Sequence, residues 1–326
     1  MESKNVMTRT LFIGIDGGFS KTEAAVINEE GALLAFTRGP GSAIRGIPSK
    51  DECKSLLERA SEACDQAGIS IEDAAMCGIG LSGIDFPSEF EGQHARVSES
   101  LGIAPERLTL VNDGIVALWG ATNAEAAAIV QHGSDFTAAY RNQLGNEVLF
   151  GHLNVGGIFD IRQELVKAVG RMIDGRLPYT DFTEAVLKHY GIDYSDEFAE
   201  KAYRHHINNK LILSTPPLIF DAWRQGDPTA TELVQKAMED YVTAAEAMIK
   251  RMQTDDAVVF FGGGLIDQGG DALQALLADR WRVVCPRVRM DSPRLRPALG
   301  AALMAVHANG LDTTVLFDIL AKEKIL

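Results

Sequence analysis

Residues 10–22 are TLFIGIDGGFSKT, an apolar segment that ends in an aspartate, two glycines and a cluster of hydroxyl and ammonium groups. The segment Leu11–Ile15 has the apolar, branched composition of a buried strand. Gly17 and Gly18 allow backbone angles that a side chain would forbid, so a phosphate chain can approach the backbone N–H groups there. The stretch predicts a phosphate-binding hairpin, and a simple tight turn is the alternative.

The side chains of this hairpin match the chemistry of a nucleotide site. Asp16 lies at the end of the strand and suits a hydrated Mg²⁺ ion, which prefers water plus one or two carboxylates. Ser20, Lys21 and Thr22 supply hydrogen-bond donors for phosphate, and residues 23–27 form the predicted return strand. No G-x-x-x-x-G-K-[ST] motif occurs in this stretch, which excludes a P-loop here.

Composition limits the classes of function. The 326 residues carry a net charge of -14 and are 46% hydrophobic, which is ample for a core and favours about two domains. The acidic balance disfavours nucleic acid and anionic membranes, because both bind basic surfaces, and leaves small molecules as the expected partners. No apolar run reaches the roughly 20 residues of a membrane span, and residues 1–10 lack a signal-peptide core.

Cysteine usage indicates a reducing compartment. The cysteines show no C-x-x-C pairing and lie in apolar or helical patterns: Cys53, Cys64, Cys77 and Cys285. We therefore expect a cytoplasmic protein with free thiols. A structural metal site is not expected, because the histidines lack the spacing of zinc ligands.

The order of predicted elements indicates an α/β architecture. Three early strands are followed by alternating helices and strands. The last strand of the first half delivers Asn112, Asp113 and Gly114 to its carboxyl end, where catalytic carboxylates of open α/β sheets tend to lie. The predicted elements are strands at 11–15, 23–27, 33–38, 74–81 and 108–111, and helices at 49–66 and 89–101.

A composition change at residues 121–128 marks a predicted domain boundary. Three strands after it repeat the opening of the first half, which is consistent with an internal duplication. A later strand ends in Gly262, Gly263 and Gly264, where a flat group can lie against the backbone. The predicted elements are strands at 127–131, 136–140, 147–150 and 257–261, and helices at 161–173, 181–190, 228–252 and 313–326.

Several short motifs occur in a fixed order along the chain. They are DGGFSKT at 16–22, GLSGID at 80–85, VNDG at 111–114, HGSD at 132–135, DGR at 174–176, GDPTA at 226–230, FFGGG at 260–264 and PALGAAL at 297–303. Over roughly residues 10–308 this series resembles the BadF/BadG/BcrA/BcrD-type ATPase family, which includes the N-acetylglucosamine kinases. The resemblance implies a two-domain actin-like ATPase (ribonuclease H-like) fold, in which ATP binds in the cleft between the domains.

This fold implies a division of the chain and a set of partners. We predict a first domain at residues 1–121 and a second at residues 122–311. The C-terminal helix, residues 312–326, would dock on the first domain or pair with a second subunit, and we expect a homodimer. The expected ligands are ATP, Mg²⁺ and a small sugar or sugar derivative.

The resemblance also assigns roles to individual residues. Asp113 falls on the family's catalytic base, and Asp16, which we expect to hold Mg²⁺ through water, falls in the first phosphate loop. The implied nucleotide contacts are Asp16, Gly17, Gly18, Ser20, Lys21 and Thr22 in a first phosphate loop, Gly133 and Ser134 in a second, and Gly262, Gly263 and Gly264 at the adenosine. The predicted acceptor contacts are Ser42, Ser82, Gly83, Asn112, Asp113, His132 and Gly151.

The chain departs from the family pattern in its active-site loops. Phe19 stands where the first loop commonly has glycine, and Gln131-His132 replaces the Gly-Thr of the second loop. Residues 151–157, GHLNVGG, lack the acidic pair by which amino-sugar kinases hold sugar hydroxyls, and Ala43 stands where that group often has a sugar-binding asparagine. Such losses change specificity strongly, so N-acetylglucosamine itself is not the expected acceptor.

Three residues keep two interpretations at this point. The ring of Phe19 lies near the phosphates or folds beneath the hairpin. His132 either replaces a lost donor or is structural. Arg45 either binds an acidic group of the acceptor or is a solvated surface residue.

The sequence therefore favours an ATP- and Mg²⁺-dependent kinase that phosphorylates a hydroxyl of a small sugar or amino sugar. Asp113 would accept the proton of the attacking hydroxyl, since phosphoryl transfer needs little more than a carboxylate, a metal ion and phosphate donors. One alternative is a noncatalytic nucleotide- or sugar-binding sensor. A second is a reductase-activating ATPase of the BadF type, which is disfavoured because no cysteine pair is placed to share a cluster between subunits.

Overall fold

The fold contains two five-stranded mixed sheets. The structure is a computed structural model that describes residues 10–151 and 153–323. The first half comprises β1 (Leu11–Gly17), β2 (Lys21–Asn28), β3 (Leu33–Pro40), α1 (Lys54–Ala67), β4 (Met76–Leu81), α2 (Pro87–Leu101), β5 (Leu108–Val111) and α3 (Asp113–Ala121). Its sheet has the order β3-β2-β1-β4-β5, in which β1, β2 and β3 are antiparallel neighbours and β4 and β5 run parallel to β1.

The second half repeats this connectivity. It comprises β6 (Ala127–His132), β7 (Phe136–Arg141), β8 (Glu147–Leu149), α4 (Leu153–Gly156), α5 (Ile161–Ile173), α6 (Asp181–His189), α7 (Ser195–Tyr203), α8 (Asn209–Leu213), α9 (Pro216–Arg224), α10 (Pro228–Met252), β9 (Val258–Gly262), α11 (Gly264–Val284) and β10 (Arg289–Asp291). The order β10-β9-β6-β7-β8 places antiparallel strands on one side of β6 and parallel strands on the other, as around β1. The predicted α/β class is confirmed.

The last two helices, α12 (Pro297–Ala308) and α13 (Thr314–Leu320), return to the first sheet. α12 can approach β1 and β4 closely because Gly14 and Gly78 lack side chains, and a Cβ at either position would collide with the α12 backbone. Gly300 allows a similar approach of α12 to α3. On its other face α3 packs against the second sheet, where Ile115 meets a cluster that includes Phe260. Helices α3 and α12 therefore connect the two sheets.

Most predicted elements occur within a few residues of their predicted limits. The helix expected from Ser49 begins instead at Lys54, because Ser49 forms a separate turn in which its amide donates to Glu52 at 2.7 Å. α10 begins as predicted behind Asp227, whose side chain accepts hydrogen bonds from the first turn. The sequence patterns do not predict α11, since its glycines obscure the helical period and Gly270 has a φ of 64° at a kink.

The predicted domain limits remain a prediction. α12 belongs to the predicted second domain, and it packs on the first sheet. The predicted C-terminal helix is observed over Thr314–Leu320, and residues 324–326 lie outside the described part of the chain, as do residues 1–9. Within the described residues, no helix is long and apolar enough to cross a bilayer.

Candidate active site

A cavity of about 770 Å³ lies between the two sheets, at the carboxyl ends of β1, β4, β5, β6 and β9. It is lined by residues from both halves, so a ligand inside it would contact both. The predicted site residues that line it are Asp16, Gly18, Ser20, Lys21, Ser82, Asn112, Asp113, Gly133, Ser134, Gly151, Gly262, Gly263 and Gly264. The structure thus brings together segments that are up to about 250 residues apart in the chain.

Five predicted site residues do not line the cavity but lie behind the residues that do: Gly17, Thr22, Ser42, Gly83 and His132. Thr22 is fully buried and its hydroxyl donates to Ser42 at 2.8 Å, so the two hydroxyls satisfy each other. Gly83 has a φ of 102°, and a Cβ there would collide with the carbonyl of Ile44. These residues shape the loops from behind.

The first loop, residues 16–22, is closed by backbone hydrogen bonds. The amide of Gly18 donates to the carbonyl of Lys21 at 2.9 Å, and the carbonyl of Gly18 accepts from the amides of Ser42 and Ala43 at 3.0 and 3.2 Å. The ring of Phe19 is 57% exposed and lies at the cavity rather than beneath the hairpin. The loop therefore has a fixed backbone with a large apolar side chain at its tip.

A buried ion cluster lies beside this loop. The carboxylate of Glu23 is fully buried, and its Oε1 atom lies 2.9 Å from Lys21 Nζ, 3.1 Å from Arg296 Nη1 and 3.8 Å from Arg38 Nε. The register of the sheet pairs Asp16 with Glu23 and Glu23 with Arg38, which sets these charges in one row. Lys21, Arg38 and Arg296 all line the cavity, so this end of it is cationic.

Sequence reasoning missed three members of this cluster. The pairing of Glu23 with Arg38 could have been found by continuing the hairpin register from Asp16 through β2 to β3. No local pattern pairs Arg296 with Glu23, because 273 positions separate the two residues in the chain.

Asp113 lies at the acidic end of the cavity as the first residue of α3. Asn112 caps this helix through its side-chain oxygen, which accepts from the amide of Gly114 at 2.8 Å, and its amide nitrogen donates to Asp85 at 2.8 Å. Burial, followed by the charge of Asp85, raises the pKa of Asp113 to about 7. Asp85 and Asp135 also line this end, and neither was predicted.

Asp16 has the properties of a cation-binding carboxylate. Burial raises the pKa of Asp16 to about 8, with a further rise from the charge of Asp113 and an opposing effect of Lys21. A bound cation would favour the ionised forms of both aspartates. Among the described residues there is no cluster of three or more metal-ligating side chains, so a caged metal does not fit, whereas a hydrated Mg²⁺ held by one or two carboxylates does.

The segment Gly262–Gly264 forms a bare wall of the cavity where β9 passes into α11. Gly263 has a φ of 96°, and a Cβ on it would collide with the backbone of His132, so these residues hold two loops close together. Ser292 and Pro293 face the same end of the cavity, next to Arg296. A flat ring system fits such a surface, since no side chain of the three glycines obstructs it.

The second loop, residues 131–135, contains the departure Gln131-His132. Gln131 lines the cavity, whereas His132 is only 1% exposed and both of its ring nitrogens have protein partners. Nδ1 lies 2.7 Å from the hydroxyl of Tyr241, and Nε2 lies 3.0 Å from Nη2 of Arg162. Burial, and then the charge of Arg162, lowers the pKa of His132 to about 4, so the ring is neutral at pH 7. The structural interpretation of His132 is the one that fits.

The remaining departures are placed as follows. Arg45 is exposed and does not line the cavity, as expected for a solvated surface residue. Gly151 lines the cavity, and in the segment 151–157 the residue at 152 lies outside the described part of the chain. Ala43 acts through its amide, which donates to Gly18.

A comparison with protein families identifies the chain. The model of the BadF/BadG/BcrA/BcrD ATPase family matches residues 13–305. The chain belongs to this family. Membership confirms the resemblance carried by the motif order and implies use of ATP.

Individual relatives of this family member are sugar kinases. The N-acetyl-D-glucosamine kinase of Dictyostelium discoideum is 23% identical over 93% of this chain and 99% of its own length. The glucosamine kinase GspK of Vibrio cholerae is 24% identical over 70% of this chain and 77% of its own length. A solved structure from Chromobacterium violaceum, proposed to be an N-acetylglucosamine kinase, has a TM-score of 0.71 at 27% identity and covers 91% of this chain and 99% of its own. The predicted actin-like ATPase fold is confirmed.

Proposed function

We propose that this protein is an ATP- and Mg²⁺-dependent kinase that phosphorylates a hydroxyl group of a small sugar or amino sugar. The observation that supports it best is the single cavity in which Asp16, Lys21 and Asp113 line the same space as the glycine segments 133–134 and 262–264. A carboxylate base, a metal-side carboxylate and phosphate donors are the parts that phosphoryl transfer requires. The sugar kinases among the relatives support the same class of reaction.

The cationic end of the cavity suits the nucleotide. Ser20, Lys21, Gly133 and Ser134 would contact the phosphates, and Gly262–Gly264 would face the adenosine. Arg38 and Arg296 line the same end and add positive charge that favours a polyphosphate. Asp16 would hold Mg²⁺ through water, and the bound ion would neutralise charge on the phosphates.

The acidic end suits the acceptor. Ser82, Asn112 and Gly151 line the cavity and would contact the acceptor with Gly83 behind them, whereas Ser42 and His132 would support the two phosphate loops. In the reaction the acceptor oxygen bonds to the γ-phosphorus, the bond from that phosphorus to the bridging oxygen breaks, and ADP leaves. Asp113 takes the proton of the attacking hydroxyl. A pKa of about 7 suits this role, because a base works best when its pKa is near the working pH.

The acidic residues that are missing from one loop of this chain limit the range of possible acceptors. The relatives are named for N-acetyl-D-glucosamine and glucosamine. In this chain residues 151–157 contain no acidic residue. The carboxylates of Asp85 and Asp135 line the acidic end and offer other partners for hydroxyl or amino groups. We therefore propose an acceptor related to these sugars that presents a different set of hydrogen-bonding groups.

One alternative is a noncatalytic nucleotide- or sugar-binding protein, favoured by the exposed Phe19 and by the replaced Gly-Thr of the second loop. The retention of Asp16, Lys21 and Asp113 at the cavity favours the kinase. A BadF-type activator has less support, since Cys53, Cys64 and Cys77 are buried and only Cys285 is partly exposed, which leaves no cysteine pair to share a cluster between subunits. The homodimer and the cytoplasmic location remain predictions.

The test is an ADP-release assay with MgATP against hexoses, amino sugars, sugar acids and anhydrosugars, with Asp113→Asn run beside the natural protein. Acceptor-dependent release that the variant lacks would support the kinase and name its substrate class. Nucleotide binding without release on any acceptor would favour the noncatalytic alternative. Release that is independent of acceptor, and equal in the variant, would contradict the role of Asp113.

A further inference from the structure

Arg162 is the most heavily bonded side chain of the second half. It lies in the first turn of α5 and is only 3% exposed. Its guanidinium donates to the carbonyl oxygens of Gly133 at 2.8 Å and Ser134 at 3.1 Å, and to both oxygens of Asp160 at 2.8 and 2.9 Å. The fourth residue that the guanidinium contacts is His132, whose Nε2 lies 3.0 Å from Nη2. One buried cation thus holds three consecutive residues of the second loop.

These bonds fix the direction in which the loop presents its amides. In a trans peptide the carbonyl and the following N–H point in opposite directions. Since the carbonyls of Gly133 and Ser134 are directed at Arg162, the N–H groups of Ser134 and Asp135 are directed away from it. Within residues 10–151 and 153–323 neither amide has a hydrogen-bond acceptor. Successive backbone amides without protein acceptors can bind an anion, and Gly133, Ser134 and Asp135 all line the cavity.

The departure Gln131-His132 is part of the same arrangement. A guanidinium can only donate, so Nε2 of His132 must accept and Nδ1 must carry the proton that is donated to Tyr241. Threonine, common at this position in the family, has no acceptor atom at the distance of an imidazole Nε2. Tyr241 lies on α10 and is 1% exposed, so the ring of His132 is held from two helices.

We propose that Arg162, supported by His132, Tyr241 and Asp160, is a positioning residue that holds the amides of Ser134 and Asp135 toward the phosphate chain of a bound nucleotide. This assignment rests on the proposed function for the identity of the ligand. It accounts for a buried charge whose hydrogen bonds are directed at loop carbonyls as well as at its counterion. It also explains how a loop without the usual Gly-Thr pair keeps a defined shape.

The test compares Arg162→Lys with Arg171→Lys, an exposed arginine on the same helix. Lysine keeps the charge but cannot reach all four groups, because its single ammonium lacks the planar fork of arginine. We expect the dissociation constant of the nonhydrolysable analogue AMPPNP with Mg²⁺, and the KM for ATP, to rise about tenfold to a hundredfold in Arg162→Lys. The acceptor KM should change less than about threefold, and Arg171→Lys should match the natural protein.

Thermal melting of each variant separates positioning from a general loss of stability. If Arg162→Lys melts lower but, while folded, binds AMPPNP as tightly as the natural protein, the proposal is wrong. Should Arg162→Lys fail to fold, Tyr241→Phe removes only the hydroxyl that supports His132, and a severalfold weaker AMPPNP affinity is expected. Unchanged affinity in Tyr241→Phe would then overturn the proposal.

The two proposals fail in different ways. A natural protein that binds AMPPNP but phosphorylates no acceptor would contradict the kinase, and the affinity of Arg162→Lys would still decide the role of Arg162. An active kinase with unchanged affinity in Arg162→Lys would contradict only the role of Arg162. A natural protein with no affinity for AMPPNP would overturn both.

Discussion

The two loops that face the phosphate end of the cavity are built in different ways. The first loop is closed by a hydrogen bond within its own backbone and by the amides of Ser42 and Ala43. Both of these residues follow β3, which lies in the same sheet as β1 and β2. The second loop is held by the side chain of Arg162, which arrives from a helix about 30 residues later. The first loop needs small residues where chains approach closely, whereas the second needs one buried cation that donates to its carbonyl oxygens.

The largest effect is expected at Asp113, which lies between the loops and belongs to neither. Asp113→Asn should lower turnover by about 10²–10⁴-fold, because an amide cannot accept the proton of the attacking hydroxyl. The affinity for AMPPNP should stay within about threefold, since both loops keep their bonds. Steady-state kinetics and titration calorimetry provide the two measurements. A parallel loss of nucleotide affinity would mean that Asp113 also supports the loops.

The next contrast is between Gly41, which packs against the first loop, and Gly133 in the second loop. A Cβ at Gly41 would collide with the carbonyl of Phe19, so Gly41→Ala must displace the first loop and should lower the free energy of unfolding by about 2 kcal/mol. At Gly133 the nearest atom is 3.9 Å from the added Cβ, and Gly133→Ala should change stability by less than about 0.5 kcal/mol. Urea unfolding measures both. Equal losses would show that the loops do not differ in packing.

A third change tests the ion cluster beside the first loop. Glu23→Ala removes a fully buried carboxylate from Lys21, Arg38 and Arg296, whose side chains are 33%, 60% and 38% exposed. Breaking a buried ion pair costs about 3–5 kcal/mol, but these cations can return to water, so we expect a loss of about 2 kcal/mol. The exposed Glu30 of the same hairpin provides the control Glu30→Ala, with a change of less than about 0.5 kcal/mol by urea unfolding. Similar values for the two variants would show that Glu23 contributes only surface charge.

The contrast between a loop closed by nearby residues and a loop held by a distant one explains which features could be predicted from the sequence. The strand composition of residues 11–15 and the pair Gly17-Gly18 are local signals, and they lie where the chain folds on itself within a few residues. The positions of Asp113 and Gly262–Gly264 at strand ends were likewise readable, because a buried strand followed by polar or small residues marks the edge of a sheet.

The contacts that remained hidden join residues far apart in the chain. Arg162 meets Gly133 across 29 residues, and His132 meets Tyr241 across 109. Neither pair has a periodic pattern, since each depends on how a helix packs on the second sheet. His132 therefore looked like a candidate ligand in the sequence, and only its burial and its two partners show that it supports the loop from behind.

The smallest effect concerns pH and the stability of the protein without ligands. Asp113 has an ordinary pKa of 3.8 when unfolded and about 7 when folded, so the folded state holds a proton that the unfolded state has lost. Its contribution to stability is present below pH 4 and disappears as pH rises through 7. Between pH 6 and pH 8 this one group should lower the free energy of unfolding by about 1.4 kcal/mol, as measured by urea unfolding in EDTA.

Asp113→Asn provides the control for this pH dependence. It removes the contribution of Asp113, and it also removes the nearby charge that helps to raise the pKa of Asp16, so the variant should lose less stability than the natural protein over the same range. Added Mg²⁺ should reduce the loss in the natural protein, because a cation at Asp16 favours the ionised form. If both proteins show the same pH dependence, the carboxyl group of Asp113 is not buried enough to have a raised pKa. The acidic end of the cavity would then be more solvated than the cationic end. The main contrast in the molecule would in that case lie between the two ends of the cavity, and not between the two phosphate loops.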